Sequence, residues 1–352
     1  MEYSDIHGMQ FRNTLETIVD FIDEHPELQA EYDKALYSEL QSKIHSVYGK
    51  KDKASTRKSI NQMIKLGFVN SGLKGYHSLA RKFLNADSTE DRSLIFSEVY
   101  YSCANFQSSV INDKYQGNPI NFFIKTLMNL PSKELCRKEI AALMNTDISV
   151  YKKGFLSEAE LNSQVAHTNI KNFEDRKYNQ IAYFLNFLRY VPGISVTHDK
   201  YMVFYTEDDS LWIDKNSKRD PTLFRIMREK IKQESIKNYN GKVVCYFTKQ
   251  EQKGLVVSHI VPSGYLLKKG EDEAAYDYEN AILLEPNIDA YFDKHDMTFT
   301  QDGKPQYAAK VPSTFIDAKV GLSLDKKILT KNRKEYLKEH NLSFERKKQN
   351  KK

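Results

Sequence analysis

A histidine closes the apolar run Gly254-Leu-Val-Val-Ser-His259-Ile-Val-Pro262, and downstream lies Asn280-Ala-Ile-Leu-Leu-Glu-Pro-Asn-Ile-Asp289-Ala-Tyr-Phe-Asp293. One imidazole, one amide and two carboxylates at fixed offsets form the layout that a nuclease working with a single metal ion needs. Two β-like runs, Lys242–Thr248 and Leu255–Val261, are rich in β-branched and aromatic residues, and Pro262 ends the second. Residues 277–280 then enter Ala281–Leu284, and Asn287 to Asp293 reads as a helix with Pro286 near its start. The expected order is strand, strand, loop, helix. It places His259 at a strand end facing the helix, with room for one metal ion between them.

The region resembles the HNH, or ββα-metal, endonuclease family, in the branch found in restriction enzymes. The matching pieces are Tyr239-Asn-Gly-Lys-Val-Val-Cys245, Ser258-His-Ile-Val-Pro262, Asn280-Ala-Ile-Leu-Leu284, Pro286-Asn-Ile-Asp-Ala-Tyr-Phe-Asp293 and Met297-Thr-Phe-Thr-Gln-Asp-Gly303. The stretch Asn332 to His340 and on to Phe344 is also similar to that branch. The resemblance covers about residues 239–346. It implies that His259 is the general base, since an imidazole can take a proton from water near neutral pH. It implies that Asn280 ties down the loop carrying His259, and that Asp289 is a metal ligand. Its hard carboxylate oxygen suits Mg2+ or Mn2+. The chain departs from the family pattern twice: Ser258 stands where an acidic or histidine ligand is common, and Asp289 where a histidine is common. Asn287, Asp293 or water could complete the metal shell. By the same resemblance, in-line attack leaves 5′-phosphate and 3′-hydroxyl ends.

Each of these residues has a plainer reading. A lone histidine in an apolar run is usually buried and satisfied by a backbone carbonyl. Asp293 could be a surface carboxylate, and Asn280 is structural in either case. His295, out of register, reads as a solvated histidine. With Asn280 and Asp289 both in place, the catalytic reading of His259 is preferred.

The rest of the chain must position this site and choose its substrate. A length of 352 residues exceeds one usual hydrophobic core, so two or three domains are expected. The 40% of hydrophobic residues is enough for real cores, and the 28% of charged residues argues against wholesale disorder. Three scattered cysteines, without a C-x-x-C pair, exclude a disulfide framework and a four-cysteine zinc site. They fit a reducing, cytoplasmic setting. No signal-peptide pattern and no long apolar run argue for a membrane partner. From Lys326 to Lys352 there are eleven Lys and Arg against three Glu, a net of +8, so the remainder of a +6 chain carries about −2. That tail reads either as a frayed terminus or as phosphate contact.

The expected fold class is α+β: a largely helical N-terminal region with winged-helix-like units, and a C-terminal ββα-metal nuclease domain. Residues 1–90 form the first unit. Apolar residues recur at helical spacing over Phe11–Ile22 and again over Tyr32–Ile44, and a third helix from Ser55 or Thr56 runs to Gly67. Gly72 and Gly75 suggest a tight ribbon. That third helix exposes Arg57, Lys58, Asn61, Gln62 and Lys65, side chains able to meet phosphates and base edges. Residues 91–215 form a second region, in which Pro131-Ser signals a helix running to Met144. There Asn172–Arg189 is amphipathic, and two strands flank Asp199-Lys200 as a hairpin. Arg176, Asn179 and Gln180 lie early in that helix. With Arg57 and Asn61 they are the candidate DNA contacts, although an ordinary polar helix face would look the same. A linker helix over 216–240, a nuclease domain over 241–346 and a basic tail over 347–352 complete the chain.

The leading expectation is a type II restriction endonuclease, with type IIS-like cutting outside its site as a subtype. Its partners would be double-stranded DNA and a cognate DNA methyltransferase, with a homodimer as one route to double-strand cleavage. The alternatives are an endonuclease that requires modified DNA, and a binding-only winged-helix protein with an inactive nuclease fold.

Overall fold

The computed structural model describes residues 3–48, 53–106, 109–110, 117–168, 181–206 and 219–349. The chain divides into two compact units, Met1–Asp208 and Asp209–Lys352.

The first unit is mainly helical. Helix α1 (Met9–Glu24) buries Phe11, Leu15, Ile18, Val19 and Ile22, the stripe that three- and four-residue spacing requires. It is followed by α2 (Lys34–Tyr48), α3 (Lys53–Lys65), α4 (Ala80–Leu84) and α5 (Thr89–Cys103). Phe11, Phe68, Phe83 and Phe96 are fully buried, and the Phe68 and Phe83 rings lie 4.8 Å apart between centroids. Gly67 ends α3 with φ +87°, and a Cβ there would sit 2.6 Å from the Cβ of Cys103. Only glycine meets both conditions. The ribbon expected after α3 is a single bridge, Val69 to Tyr76.

The second half of this unit holds α6 (Pro119–Asn129), strand β1 (Glu134–Cys136), α7 (Arg137–Asn145), α8 (Glu158–His167), a helical segment at 181–188 (α9) and the hairpin β2 (Ile194–Val196) and β3 (Met202–Tyr205). The hairpin forms around Asp199-Lys200 as expected, with Lys200 at φ +61°. The helix expected from Pro131 begins only at Arg137. Glu134–Cys136 pairs antiparallel with β3 instead, giving the sheet order β1-β3-β2. The Glu139 carboxylate accepts the Cys136 N–H at 2.7 Å and starts the helix there.

In the second unit, α10 (Pro221–Asn238) opens with Pro221 behind an Asp220 cap that accepts two backbone N–H groups. Beyond it, β4 (Val256–His259) and β5 (Ala281–Leu284) form one antiparallel hairpin. Between these strands lie α11 (Ser263–Lys269) and α12 (Asp272–Ala275), and after them come α13 (Pro286–Phe292), β6 (Met297–Phe299), β7 (Pro305–Tyr307), α14 (Ser313–Asp317) and α15 (Lys331–Gln349). One core joins Met227 and Ile231 of α10, all four residues of β5, Ile288 and Phe292 of α13, and Leu337 of α15.

The first expected strand, Lys242–Thr248, is not a strand. Val244 to Phe247 are buried, but the segment turns back on itself through Lys249 N–H to Cys245 O and Cys245 N–H to Gln250 O. It touches β5 by one backbone bond, Tyr246 N–H to Leu283 O at 2.8 Å. The hairpin therefore uses Ala281–Leu284 as its second strand, and α13 packs on β4. Among the described residues no helix is long and apolar enough to cross a membrane.

Candidate active site

The site is built on β4. Successive strand residues point to opposite faces, so Ser258 and His259 diverge. His259 turns towards α10 and α12 and not, as the sequence suggested, towards the helix that carries Asp289; Ser258 takes that face. Its ring stacks on Phe224 at 6.0 Å between centroids, and Nε2 lies 3.3 Å from the carbonyl oxygen of Ala275. A carbonyl can only accept, so Nε2 carries the hydrogen, and Nδ1 is the atom able to take a proton. Burial drives the His259 pKa down to about 3; the Arg219 charge adds to the fall, and the Ala275 hydrogen bond opposes it. The imidazole is therefore neutral at physiological pH.

Asn280 is fully buried and holds the loop that follows His259. Its Oδ1 accepts the Val261 N–H at 2.8 Å, while Nδ2 donates to Val261 O at 3.0 Å and to Ala274 O at 3.1 Å. Its own carbonyl accepts the Ile260 N–H at 2.9 Å. One amide side chain thus clasps both main-chain groups of Val261 and ties them to the segment ending at Ala275.

Ser258 is 3% exposed, and its hydroxyl has no hydrogen-bond partner. It lies beside Asp289, whose pKa is raised by burial and by the Asp293 charge, with the Ser258 hydroxyl pulling the other way. Among the described residues no regular hydrogen bond satisfies that hydroxyl, a buried polar atom beside a carboxylate. Asp293 follows Asp289 by four residues and shares its face of the helix turn. Asn287 precedes Asp289 by two, which places it on another face, and it is exposed.

Ser258, Asp289 and Asp293 are hard oxygen donors. Among the described residues no three or more His, Cys, Asp or Glu side chains form a closed metal cage. The donors suit a small cation held by one or two carboxylates, which keeps much of its shell for water and phosphate, as Mg2+ does. An orphaned hydroxyl beside a carboxylate fits that use.

Two candidate DNA contacts of the first unit are described, and they differ. Arg57 is exposed on α3. Asn61 is half-buried, and its Oδ1 accepts the Val110 N–H at 3.0 Å. Its neighbour Gln62 is buried and grips the main chain of Tyr3 through two hydrogen bonds. Asn61 and Gln62 therefore serve the interior of the unit, not an open reading face. Arg176, Asn179 and Gln180 lie outside the described residues.

His295 also departs from its expected surface role. Its Nδ1 is 3.0 Å from His340 Nε2, and the His340 ring stacks on Phe292. Sequence reasoning missed Phe224, the Ala275 carbonyl and Arg219 around His259, because no local pattern marks residues that meet only through the fold.

Residues 245–300 match a protein-family model described as HNH endonuclease. The match spans β4, α11, α12, β5, α13 and β6, and so contains His259, Asn280 and Asp289. It supports the HNH family for this segment, and with it nuclease activity on DNA. A search of curated proteins finds no match.

Proposed function

We propose that this protein is a metal-dependent DNA endonuclease of the restriction type, with its cutting centre in the second unit and DNA selection in the first. One observation carries the reading. On the β4–β5 hairpin, the His259 imidazole is held by the Ala275 carbonyl with Nδ1 left as proton acceptor, Asn280 clasps the main chain of Val261 two residues on, and the opposite face of the strand sets Ser258 beside Asp289.

In this reading the phosphodiester docks beside His259 at the end of β4. His259 Nδ1 takes a proton from water as the water oxygen bonds to phosphorus. The bond from phosphorus to the 3′ oxygen breaks, the 3′ oxygen takes a proton from solvent, and a 5′-phosphate and a 3′-hydroxyl are left. The Ala275 carbonyl holds the imidazolium that forms. Asp289, with Ser258 and Asp293, would hold Mg2+ or Mn2+, which when bound supplies positive charge to the phosphate and the leaving oxygen. Phe224 fixes the ring plane.

For the first unit, the support for DNA binding is the order α6, β1, α7, further helices, then a hairpin whose second strand lies between β1 and β2. We read this order as winged-helix-like, with the β2–β3 hairpin as the wing. One centre cuts one strand, so double-strand cleavage needs two centres, through a homodimer or sequential nicks. A cognate DNA methyltransferase is the matching protective partner.

The test is cleavage of plasmid DNA, grown with and without methylation, by wild type and His259→Ala in Mg2+. Wild type is expected to cut at defined sites with 5′-phosphate ends. The variant is expected to lose about 10³-fold or more while keeping its fold. Equal cutting by both proteins would assign the activity to a contaminant. Cutting of the methylated plasmid alone would replace the restriction reading with a modification-dependent one. DNA binding with no cutting would leave a binding-only protein.

A further inference from the structure

The segment that carries Asn280 is gripped from outside by one helix. Three residues in the first turns of α15 each reach it. Asn332 Nδ2 donates to Glu279 Oε2 at 2.8 Å, and Tyr336 OH donates to Asp277 Oδ2 at 3.1 Å. Between them Arg333, at 0% exposure, donates from Nε to Ala281 O at 3.1 Å and from one terminal nitrogen to Tyr278 O at 3.2 Å. The remaining guanidinium donors go to both oxygens of Glu234 on α10, each at 2.9 Å, and to Ile328 O. All five N–H groups of Arg333 thus have acceptors, and only a planar five-donor fork can make this set. The two carbonyls it holds in the loop, at 278 and 281, flank Asn280.

We propose that Asn332, Arg333 and Tyr336 of α15, with Glu234 of α10, are positioning residues that set Asn280 and, through it, the main chain of Val261 beside His259. Contact with Asp277, Tyr278, Glu279 and Ala281 leaves residue 280 little room to shift. Asn280 passes that constraint to Val261, to Ile260 and to the segment whose Ala275 carbonyl orients the imidazole. A purely stabilising role needs no such arrangement, because a buried ion pair is often replaceable by apolar residues at little cost. An error of about 1 Å in a reacting group costs about 10²-fold in rate, so a brace of this kind acts on turnover.

The kinetic arm of the test rests on the nuclease reading; the exchange arm does not. Two full-chain variants are compared with wild type: Arg333→Lys, which keeps a charge for Glu234 but loses the fork, and Asn332→Ala with Tyr336→Phe, at exposed and half-buried positions that leave the core intact. Hydrogen exchange at the Val261 amide, read by NMR, is expected to speed up by about ten-fold or more in both, with the β6 amides at 297–299 unchanged. In cleavage, kcat is expected to fall about ten-fold with KM unchanged, and the loss is expected to vanish when the same changes are made on an Asn280→Ala background. Unchanged exchange at Val261 in both variants overturns the proposal. So does an equal loss of kcat with and without Asn280. If wild type cuts no DNA, the nuclease reading fails and the exchange result still decides the brace.

Discussion

Two histidines of the second unit are uncharged at neutral pH, and they are put to different uses. His259 keeps Nδ1 for a proton; His340 is committed to packing. His340 is buried against Phe292, His295 and Thr298, and burial lowers its pKa to about 3; His295 adds to the fall and the Phe292 carbonyl opposes it. The sign for stability follows directly. The unfolded chain binds a proton near pH 6.5 and the folded chain only near 3, so the contribution is intact above about pH 6.5 and drains away as pH falls towards 3. For this group the slope is about 1.4 kcal/mol per pH unit. Urea unfolding at a series of pH values between 7 and 4 is expected to show a steeper loss for wild type than for His340→Gln; parallel curves would refute the assignment. Asn280 carries a second expectation at this scale. Asn280→Ala leaves the N–H and C=O of Val261 and the carbonyl of Ala274 without their side-chain partner, so stability should fall by about 2–4 kcal/mol in urea titration.

Elements show where sequence is readable and where it is not. Helix α13 was legible from Pro286 near its start, and α10 as the linker helix over 216–240, because helix-start signals are local. The β2–β3 hairpin was legible for the same reason, from strands flanking Asp199-Lys200. Lys242–Thr248 misled because Val244 to Phe247 are as apolar as a strand, yet they are buried in a turn beside β5. Asn61 and Gln62 looked like a reading face because their acceptors and donors, Val110 and Tyr3, are remote in sequence. The His259, Asn280 and Asp289 trio was visible as a spacing. What surrounds it (the Ala275 carbonyl, Phe224 and the unsatisfied Ser258 hydroxyl) required the fold. The end of α3 gives a test for an element boundary. Gly67→Ala must both adopt a left-handed backbone and push its Cβ against Cys103, so a loss of about 2 kcal/mol or more is expected by thermal or urea unfolding. A loss within about 0.5 kcal/mol would mean that the turn adapts.

At the scale of the whole molecule, selection and cutting are assigned to separate units, and the two activities should separate experimentally. Under the proposed function, chelation with EDTA is expected to abolish cleavage while DNA retention in a gel-shift assay persists, because the cation would be held by Asp289 and Asp293 of the second unit. Loss of both together would place the metal in DNA binding as well. The basic C-terminal segment is less available than its charge suggests. Lys347 pairs with Asp296 at 2.6 Å, and Lys310 binds the other oxygen of the same carboxylate at 2.6 Å. Burial alone would raise the Asp296 pKa, but these two lysines hold it below its ordinary value. Part of the +8 is therefore internal charge balance, and a salt slope measured for DNA binding should count fewer phosphate contacts than the lysines of α15.

The fork of Arg333 also has a consequence for the order in which the loop is built. His259, Asn280 and Asp289 are all synthesised before the helix that braces their loop, so a nascent chain long enough to display the whole trio still lacks Asn332, Arg333 and Tyr336. Under the proposed function, a chain that ends before α15 would carry the trio on an unbraced loop, and cutting would await the docking of that helix.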